Sequence, residues 1–558
     1  MFFPPWIMFM MFMKKQSFMQ GAFIATIAIV ISKILGVLYV IPFYAIIGEQ
    51  GGALYGYAYN VYIIFLGIAS VGLPLAMSKL VSEYNVLGYY YSKERLFKIG
   101  KTIISAMGVL SFVLLIIFAP KIAYLILGDI QGGNTIEDVS FVIRAISLSI
   151  LVVPVQSLSR GYLQGHRFIS PTAMSQIIEQ LVRVIFIIVG SFLALRVFNL
   201  GLTYAVGVAV FGAFVGAFCS YLYLLIKIKT NKASLNRTAS KTRTEKNITD
   251  KVIIQNLLFY SVSFIIIDVS KNIYNSVDMV TLIKTLVNGL NYSVNVAETV
   301  MATISTWGHK LNMIVASISM GLIVSLIPNL ASSFAANDIS DVRNKINQAL
   351  QLLLYTTLPM AVGLSLLAKP VWMAFYGESF WGPVVFSYSV FTVLFATLFT
   401  IVITMLQSLN RYKMVFGCLM LGLIIKITLN IPLIYSFEQI GFHGFYGATT
   451  ATILGYLISS IIGLILLGKE FSINYENTLK QLINIVLATM IMTMVIALFK
   501  LVIPIDVESR LLSLGIILIY SIIGASTYLF ITYRNKTFHH IFGQKTLDLI
   551  FAKLRIKK

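Results

Sequence analysis

Twelve charged residues lie inside long apolar runs of this 558-residue sequence, where an ionised side chain must be paired, hydrated or functional. Eight are basic and four are acidic, so the apolar regions carry an excess of positive charge. The basic residues are Lys33, Lys79, Arg144, Arg183, Lys271, Lys284, Lys310 and Lys426, and the acidic residues are Glu179, Asp268, Asp278 and Glu298.

Lys33 and Lys310 lie well inside apolar segments in opposite halves of the chain. If both face the interior, they flank one central cavity whose positive charge favours an anion such as phosphate or pyrophosphate. The alternative is a structural partner for each lysine, either a lipid headgroup or a backbone carbonyl. We predict that Lys33 and Lys310, together with Arg144, contact an anionic substrate.

Glu179 and Arg183 are four residues apart, so they share one face of a helix and can pair. Two interpretations stay open for them: a structural ion pair between helices, and a contact with the substrate or a proton. Asp268 and Lys271 are three residues apart and carry the same two interpretations. Glu179 and Arg183 complete the predicted substrate-binding set.

A second set of residues is predicted to couple transport to an ion: Asp268, Asp278 and His309. His309 belongs to it because histidine titrates near neutral pH. The remaining basic residues are expected to extend their ammonium groups to the membrane interface; they are Lys79, Lys284 and Lys426.

Other chemistries lack the residues they need. The segment from Gly463 to Lys469 fits the start of a phosphate-binding loop, but Glu470 replaces the required Ser or Thr. The two cysteines, Cys219 and Cys418, lie in apolar runs, which argues against a disulfide framework or a zinc site. We predict no enzymatic activity and no cofactor or metal beyond a coupling ion. Because most basic residues fall in short loops, we also predict no nucleic-acid partner.

Membrane helices are the elements that must position these charges. The chain is 58% hydrophobic and 11% charged, whereas soluble domains have roughly 25% charged residues. Apolar runs of about 20 residues suit helices, which satisfy their own backbone groups in lipid. We predict an all-α polytopic membrane protein with about fourteen transmembrane spans, numbered 1 to 14, at 18–47, 53–82, 99–128, 139–163, 169–196, 200–228, 253–288, 293–332, 346–369, 382–408, 413–436, 444–468, 479–504 and 511–533.

The distribution of Lys and Arg predicts the orientation. With the amino terminus inside, the cytoplasmic segments hold about 29 of these residues and the outward loops about 5, with 8 inside helices. Both termini are therefore expected in the cytoplasm. Translation starts at Met1 or at Met13, two alternatives that the sequence leaves open.

Three motif pairs recur across the longest loop at offsets of 243 to 254 residues, which indicates an internal repeat. One pair is Gln156 to Arg160 and Gln407 to Arg411. Six spans per copy place both copies in the same orientation, as lobes of a transporter. The predicted segments are a cytoplasmic amino-terminal segment (1–17), an N-lobe of spans 1–6 (18–228), a basic cytoplasmic linker (229–251), a C-lobe of spans 7–12 (252–469), spans 13 and 14 (470–535) and a basic cytoplasmic tail (536–558).

Several stretches match the motifs of a known family: Ser32 to Gly36, Gly72 to Pro74, Ser78 to Leu80, Arg160 to Ala173, Ser175 to Val184, Val277 with Asp278, and Lys310 with Leu311 leading to Pro328. Together they resemble the MurJ/SpoVB/YtgP branch of the multidrug/oligosaccharidyl-lipid/polysaccharide (MOP) exporter superfamily. The resemblance covers nearly the whole chain from about Phe18.

This resemblance implies a flippase for undecaprenyl-pyrophosphate-linked sugars, above all lipid II, working by alternating access and driven by a gradient or the membrane potential. It implies two six-helix lobes around a cationic cavity, with spans 13 and 14 forming a groove for the lipid tail. It also implies a monomer in the bacterial cytoplasmic membrane, with cell-wall synthesis machinery as a partner.

The chain departs from the family pattern at a few positions. The family often has arginine where Lys33 and Lys310 stand. Lysine keeps the positive charge, but it cannot form the bidentate hydrogen bonds that arginine makes to phosphate. Tyr39 stands where Gram-negative members have a further arginine. The alternatives left open are a flippase for another lipid-linked glycan (a capsule or teichoic acid unit), a MATE-type drug or cation antiporter, a membrane glycosyltransferase and a scaffold.

Overall fold

The computed structural model describes residues 32, 35–36, 39–70, 72–130, 132–166, 168–231, 235, 248–503 and 509–542. Within these residues, eleven helical segments are long and apolar enough to cross a membrane, and they coincide with spans 2–6 and 9–14. The chain is therefore an all-α polytopic membrane protein, as predicted. Spans 7 and 8 correspond to helices some of whose side chains are not described, and most of span 1 lies outside the described residues, so the count of fourteen stays a prediction.

The first of two compact units ends at Lys284. Its helices are α1 (Val40–Ser70), α2 (Gly72–Leu87), α3 (Tyr90–Leu127), α4 (Ile136–Ser147), α5 (Ser149–Gly165), α6 (Ile169–Ile185), α7 (Leu202–Thr230) and α8 (Asp250–Lys284). α8 packs against α1, α2 and α3, so this unit extends past the predicted linker. The lobe boundaries that we placed at 229–251 stay predictions.

Gly48 breaks α1, with φ 66° and ψ −163°. A positive φ is costly for residues that carry a Cβ atom, so glycine suits this break. The break falls between spans 1 and 2, where the sequence predicts a loop at 48–52.

The second unit begins at Thr285. Its helices are α9 (Val294–Ala302), α10 (Gly308–Ala335), α11 (Ile339–Leu366), α12 (Ala368–Tyr376), α13 (Trp381–Ser389), α14 (Phe391–Ser408), α15 (Tyr412–Gln439), α16 (Phe445–Phe471), α17 (Glu476–Lys500), α18 (Arg510–Arg534) and α19 (Thr537–Phe542). α15 packs on α16, α17 packs on α18, and α11 packs on α14 and α17.

Loop contacts agree with spans that alternate in direction. In the first unit, the Asn85 side chain donates to the Gly165 carbonyl (3.4 Å), joining the loops after spans 2 and 4. At the other end, Asn134 donates to the Gln50 carbonyl (3.1 Å), joining the loops after spans 1 and 3. Even-numbered and odd-numbered loops thus gather at opposite ends of the unit.

The second unit shows the same pattern. Asn347 donates to the Asn474 carbonyl (3.1 Å), which joins the first turns of span 9 to the loop before span 13. The Tyr292 hydroxyl donates to Glu438 (2.8 Å), which joins the loops after spans 7 and 11. The alternation supports the predicted span order, whereas it does not say which end faces the cytoplasm.

Two family motifs meet where α5 packs on α2. A Cβ atom built at Gly161 would overlap the Pro74 carbonyl oxygen, and one at Gly165 would lie 2.7 Å from the Ser78 carbonyl oxygen. Glycine is required at such positions because only its bare backbone allows the helices to approach this closely. This packing positions the end of α5, which carries Arg160.

Candidate functional site

Glu179, in the middle of α6, is held by three donors from two helices. Its Oε1 atom accepts from Arg183 Nη2 (2.6 Å). Its Oε2 atom accepts from Arg160 Nη2 (2.8 Å) and Gln156 Nε2 (2.9 Å), both on α5. The side chain of Glu179 is 14% exposed. A carboxylate this shielded from water is stable when charged donors satisfy its oxygens.

The guanidinium group of Arg160 also donates hydrogen bonds to serines of α6 and α7. Its Nε atom donates to Ser175 Oγ on α6 (2.7 Å), and its Nη2 atom also donates to Ser220 Oγ on α7 (3.1 Å). Ser220 Oγ in turn donates to the Ser175 carbonyl (2.7 Å). Arg160 therefore ties α5, α6 and α7 together, and its guanidinium orientation is set by these partners.

α7 reaches this centre because Gly216 faces α6. A Cβ atom at Gly216 would lie 2.6 Å from the Glu179 carbonyl oxygen and 3.2 Å from the Cβ atom of Arg183. The absence of a side chain at Gly216 thus lets α7 lie directly over the turn of α6 that joins Glu179 to Arg183.

The Glu179 centre, defined as Gln156, Arg160, Glu179 and Arg183, holds two cations and one anion. Arg183 is less fully satisfied than Arg160, because its buried Nε atom has no hydrogen-bond partner among the described residues. The net positive charge of the centre can attract an anionic group.

Three tyrosines of α1 lie near Arg183. Tyr55, Tyr59 and Tyr62 lie within electrostatic range of its guanidinium. Tyr55 and Tyr59 are stacked with ring centroids 5.5 Å apart, and Tyr62 lies 5.9 Å from Tyr59. These tyrosines form an aromatic cluster on α1 near the Glu179 centre.

The structure confirms the predicted pairing of Glu179 with Arg183, whereas a substrate contact stays a prediction. Sequence reasoning missed Gln156 and Arg160 as members of this centre. The signal was present, because the two residues are four apart and share a helix face. In the sequence, Gln156 and Arg160 mark the internal repeat, and Arg160 also begins a stretch that matches the family.

The other predicted residues of the first unit are dispersed. Arg144 lies in the last turn of α4 and is exposed. Asp278 is buried in α8, and the side chain of Asp268 lies outside the described residues. Lys33 also lies outside them. Gly36, three residues later, lies beside α6, with its built Cβ atom 3.5 Å from Gln180 Nε2.

In the second unit, His309 and Lys310 begin α10; His309 is exposed and Lys310 is half-buried. Lys426 corrects our expectation of an ammonium group at the interface. It is fully buried and donates to Asn430 Oδ1 (2.9 Å) and the Ala448 carbonyl (3.0 Å), so its charge is solvated inside the unit.

The other two lysines with a predicted interfacial position belong to the first unit, and that position stays a prediction. Lys79 is exposed. Lys284 donates to the Leu125 carbonyl at 2.7 Å, next to the end of α3.

A family model described as "Polysaccharide biosynthesis protein" matches residues 18–334. The chain belongs to this family. Among its relatives, "Lipid II flippase MurJ" of Bacillus subtilis (strain 168) is 33% identical over 540 residues, which is 95% of this chain and 98% of that protein. The predicted family resemblance is therefore confirmed, and it extends over nearly the whole length of both chains.

Solved structures of this superfamily share the fold. "Lipid II flippase MurJ, inward closed conformation" superposes with a TM-score of 0.65 at 18% identity, covering 92% of this chain and 99% of that one. An inward-facing multidrug resistance MATE family transporter of the MOP superfamily gives 0.61 at 13% identity, covering 80% and 98%. The MOP fold is thus shown, and a lipid II flippase and a MATE family transporter both have it.

Proposed function

We propose that this protein is a flippase that moves lipid II, the undecaprenyl-pyrophosphate-linked precursor of peptidoglycan, from the inner to the outer leaflet. The observation that carries this proposal is the 33% identity to a lipid II flippase over 95% of the chain. The shared fold agrees with it but does not select the cargo, because MATE transporters have it too.

The anionic headgroup of lipid II matches the excess of basic residues in the apolar segments of this chain. A pyrophosphate headgroup cannot cross hydrocarbon unaided, because an ionised group there is prohibitively unstable. A polyprenyl tail is stable in lipid. The protein needs to supply only a hydrated, cationic path for the headgroup.

Within that path, we assign a direct substrate contact to Arg183 and a positioning role to Arg160. The side chain of Arg183 is 20% exposed, whereas Arg160 is 13% exposed and is committed to Glu179, Ser175 and Ser220. Lys33, Lys310, Arg144 and Glu179 remain proposed members of the substrate-binding set.

Transport is proposed to use alternating access driven by a gradient or the membrane potential, with Asp268, Asp278 and His309 as coupling residues and no cofactor. We also propose that the protein works as a monomer in the bacterial cytoplasmic membrane with both termini in the cytoplasm. The cell-wall synthesis machinery is its proposed partner.

Two other cargoes each have a supporting observation. The description of the family as polysaccharide biosynthesis proteins favours another lipid-linked glycan, such as a capsule or teichoic acid unit. The MATE-like fold favours a drug or cation antiporter. A cationic cargo fits the Glu179 centre poorly, since two guanidinium groups there face one carboxylate.

The test is surface exposure of lipid II in bacteria depleted of their own flippase and expressing this protein. Wild type should restore exposure and growth. Arg183→Gln, Lys33→Ala and Lys310→Ala should express but lower exposure at least tenfold. Lys413→Gln, an exposed lysine at the start of α15, is the matched control and should behave as wild type.

Each other result has a definite meaning. Failure of well-expressed wild type to restore exposure would reject lipid II as the cargo. Full activity of all three variants would leave flipping in place and reject the residue assignments.

A further inference from the structure

A cavity of about 600 Å³ lies in the second unit where the amino-terminal turns of α11 and α17 meet α19. This volume is within the roughly 300–1,000 Å³ range of small-molecule sites. Six of its nine lining residues are amides: Asn344, Asn347, Gln348, Gln351, Asn474 and Asn477.

Hydrogen bonds fix the inner wall of this amide cavity. Thr478 Oγ1 donates to Asn347 Oδ1 (2.7 Å), and Gln351 Nε2 donates to Thr478 Oγ1 (3.1 Å). Asn347 Nδ2 donates to the Asn474 carbonyl. The wall is thus held in one arrangement by contacts between α11 and the start of α17, and a ligand would meet a preformed surface.

The outer rim has exposed amides and little net charge. Asn344 and Gln348 are one helical turn apart on α11 and both are exposed. The two charged lining residues, Glu476 and Lys480, pair with each other at 2.7 Å. Because these two charges compensate each other, the rim attracts a phosphate ion only weakly.

α19, the last helix of the described residues, closes one side of the cavity. His540 Nε2 on α19 lies 2.7 Å from Asn477 Nδ2 on α17. α19 is held in turn by aromatic contacts, since Phe538 and Phe542 pack on Tyr355 of α11 with ring centroids 6.2 Å and 5.5 Å away. The cavity therefore belongs to the folded unit.

We propose that the amide cavity binds an uncharged, polyhydroxylated headgroup, the saccharide of a lipid-linked sugar. Each hydroxyl donates one hydrogen bond and accepts two, and the exposed side chains of Asn344 and Gln348 each offer two N–H donors and a carbonyl acceptor. α11 and α17 are both candidate membrane spans, so the cavity lies at a membrane surface where lipid headgroups are present. The identity of that lipid rests on the proposed function.

Native mass spectrometry of the full chain in detergent tests this site. The probes are short-chain lipid II, a monoglucosyl diacylglycerol, phosphatidylglycerol and phosphatidylcholine. Asn344→Leu and Gln348→Leu should each lower the fraction of saccharide-lipid adducts at least fivefold and leave phosphatidylcholine adducts unchanged. Gln439→Leu, an exposed amide at the end of α15, is the matched control and should retain all adducts.

The results distinguish a saccharide headgroup from the glycerol headgroup of a phospholipid as the ligand. An equal fall in phosphatidylglycerol adducts would support a polyol site whose occupant is the glycerol of an ordinary phospholipid. Saccharide-lipid adducts that persist in both variants would overturn the proposal. If the variants lose glucolipid adducts while wild type fails to expose lipid II in cells, the cavity stands and the proposed function falls.

Discussion

At the scale of single residues, Glu179 shows how a carboxylate is kept charged between membrane helices. Two guanidinium groups and one amide satisfy its two oxygens. Removing one member of a shielded ion pair leaves the others without compensation, which costs more than the pair itself contributes.

Glu179→Gln should therefore lower the free energy of unfolding by about 3–5 kcal/mol. The reason is that Arg160 and Arg183 would then face each other without a carboxylate. The measurement is thermal unfolding in detergent, in which wild type and variant are compared at the same protein concentration.

The double variant Glu179→Gln/Arg183→Gln is the control for that prediction. It removes one charge of each sign and should recover part of the lost stability. A single variant that unfolds at the wild-type temperature would contradict the structural role of the pair.

At the scale of elements, contacts between helix backbones decide where the charged side chains stand. Gly161 follows Arg160 directly, and it allows α5 to touch the Pro74 turn of α2. Any side chain at Gly161 must push the two helices apart, because the opposing atom is backbone and cannot rotate away.

We expect Gly161→Ala to destabilise the protein by about 1–3 kcal/mol, the usual cost of overpacking. Gly417→Ala is the matched control, since Gly417 is an exposed helical glycine with no atom within 4 Å of its built Cβ. It should be neutral or stabilising by up to about 1 kcal/mol. Equal melting temperatures for both variants would show that the α2–α5 contact is looser than the structure indicates.

Lys93 makes a second contact between distant backbone segments, because it binds the Leu235 carbonyl of the predicted basic linker. It is fully buried and donates to Asn85 Oδ1 (2.9 Å) and the Leu235 carbonyl (3.1 Å). Leu235 is buried in a hydrophobic cluster with Met77 and Leu257. The linker is thereby attached to the first unit.

Lys93→Met should speed tryptic cleavage within residues 229–251 about fivefold or more, because the Leu235 backbone loses its ammonium partner. Lys98→Met, an exposed lysine on the same helix, is the control and should leave the rate unchanged. The readout is the half-life of the intact chain on gels. Identical half-lives for Lys93→Met and wild type would mean that apolar burial of Leu235 is sufficient.

At the scale of the whole molecule, the orientation is the property that internal contacts leave open. Loop contacts support alternating spans, and the Lys and Arg bias predicts which side is cytoplasmic. The chain has two cysteines, so a cysteine-free background is easy to build.

In a Cys219→Ser/Cys418→Ala background, Ile440→Cys should react with a membrane-impermeant maleimide in intact cells. Ala336→Cys should react only after permeabilisation, because the loop after span 8 is predicted to be cytoplasmic. Both positions are exposed, so labelling reports the side of the membrane and not burial. The reverse pattern would invert the proposed topology and the direction of transport.

The sequence by itself determined the class, the span order and the family. Apolar runs of membrane length leave few choices, because backbone groups in lipid must bond within a helix. The pairing of Glu179 with Arg183 was also predictable, since a spacing of four residues places both on one helix face.

Tertiary structure alone decided which distant residues join that pair. Arg160 and Gln156 of α5 donate to Glu179 of α6, and Ser220 joins because Gly216 lets α7 approach α6. The burial of Lys426 and the amide cavity likewise depend on how helices cross. Periodicity within one helix specifies which face is polar, whereas the partner of that face is set by packing between helices far apart in sequence.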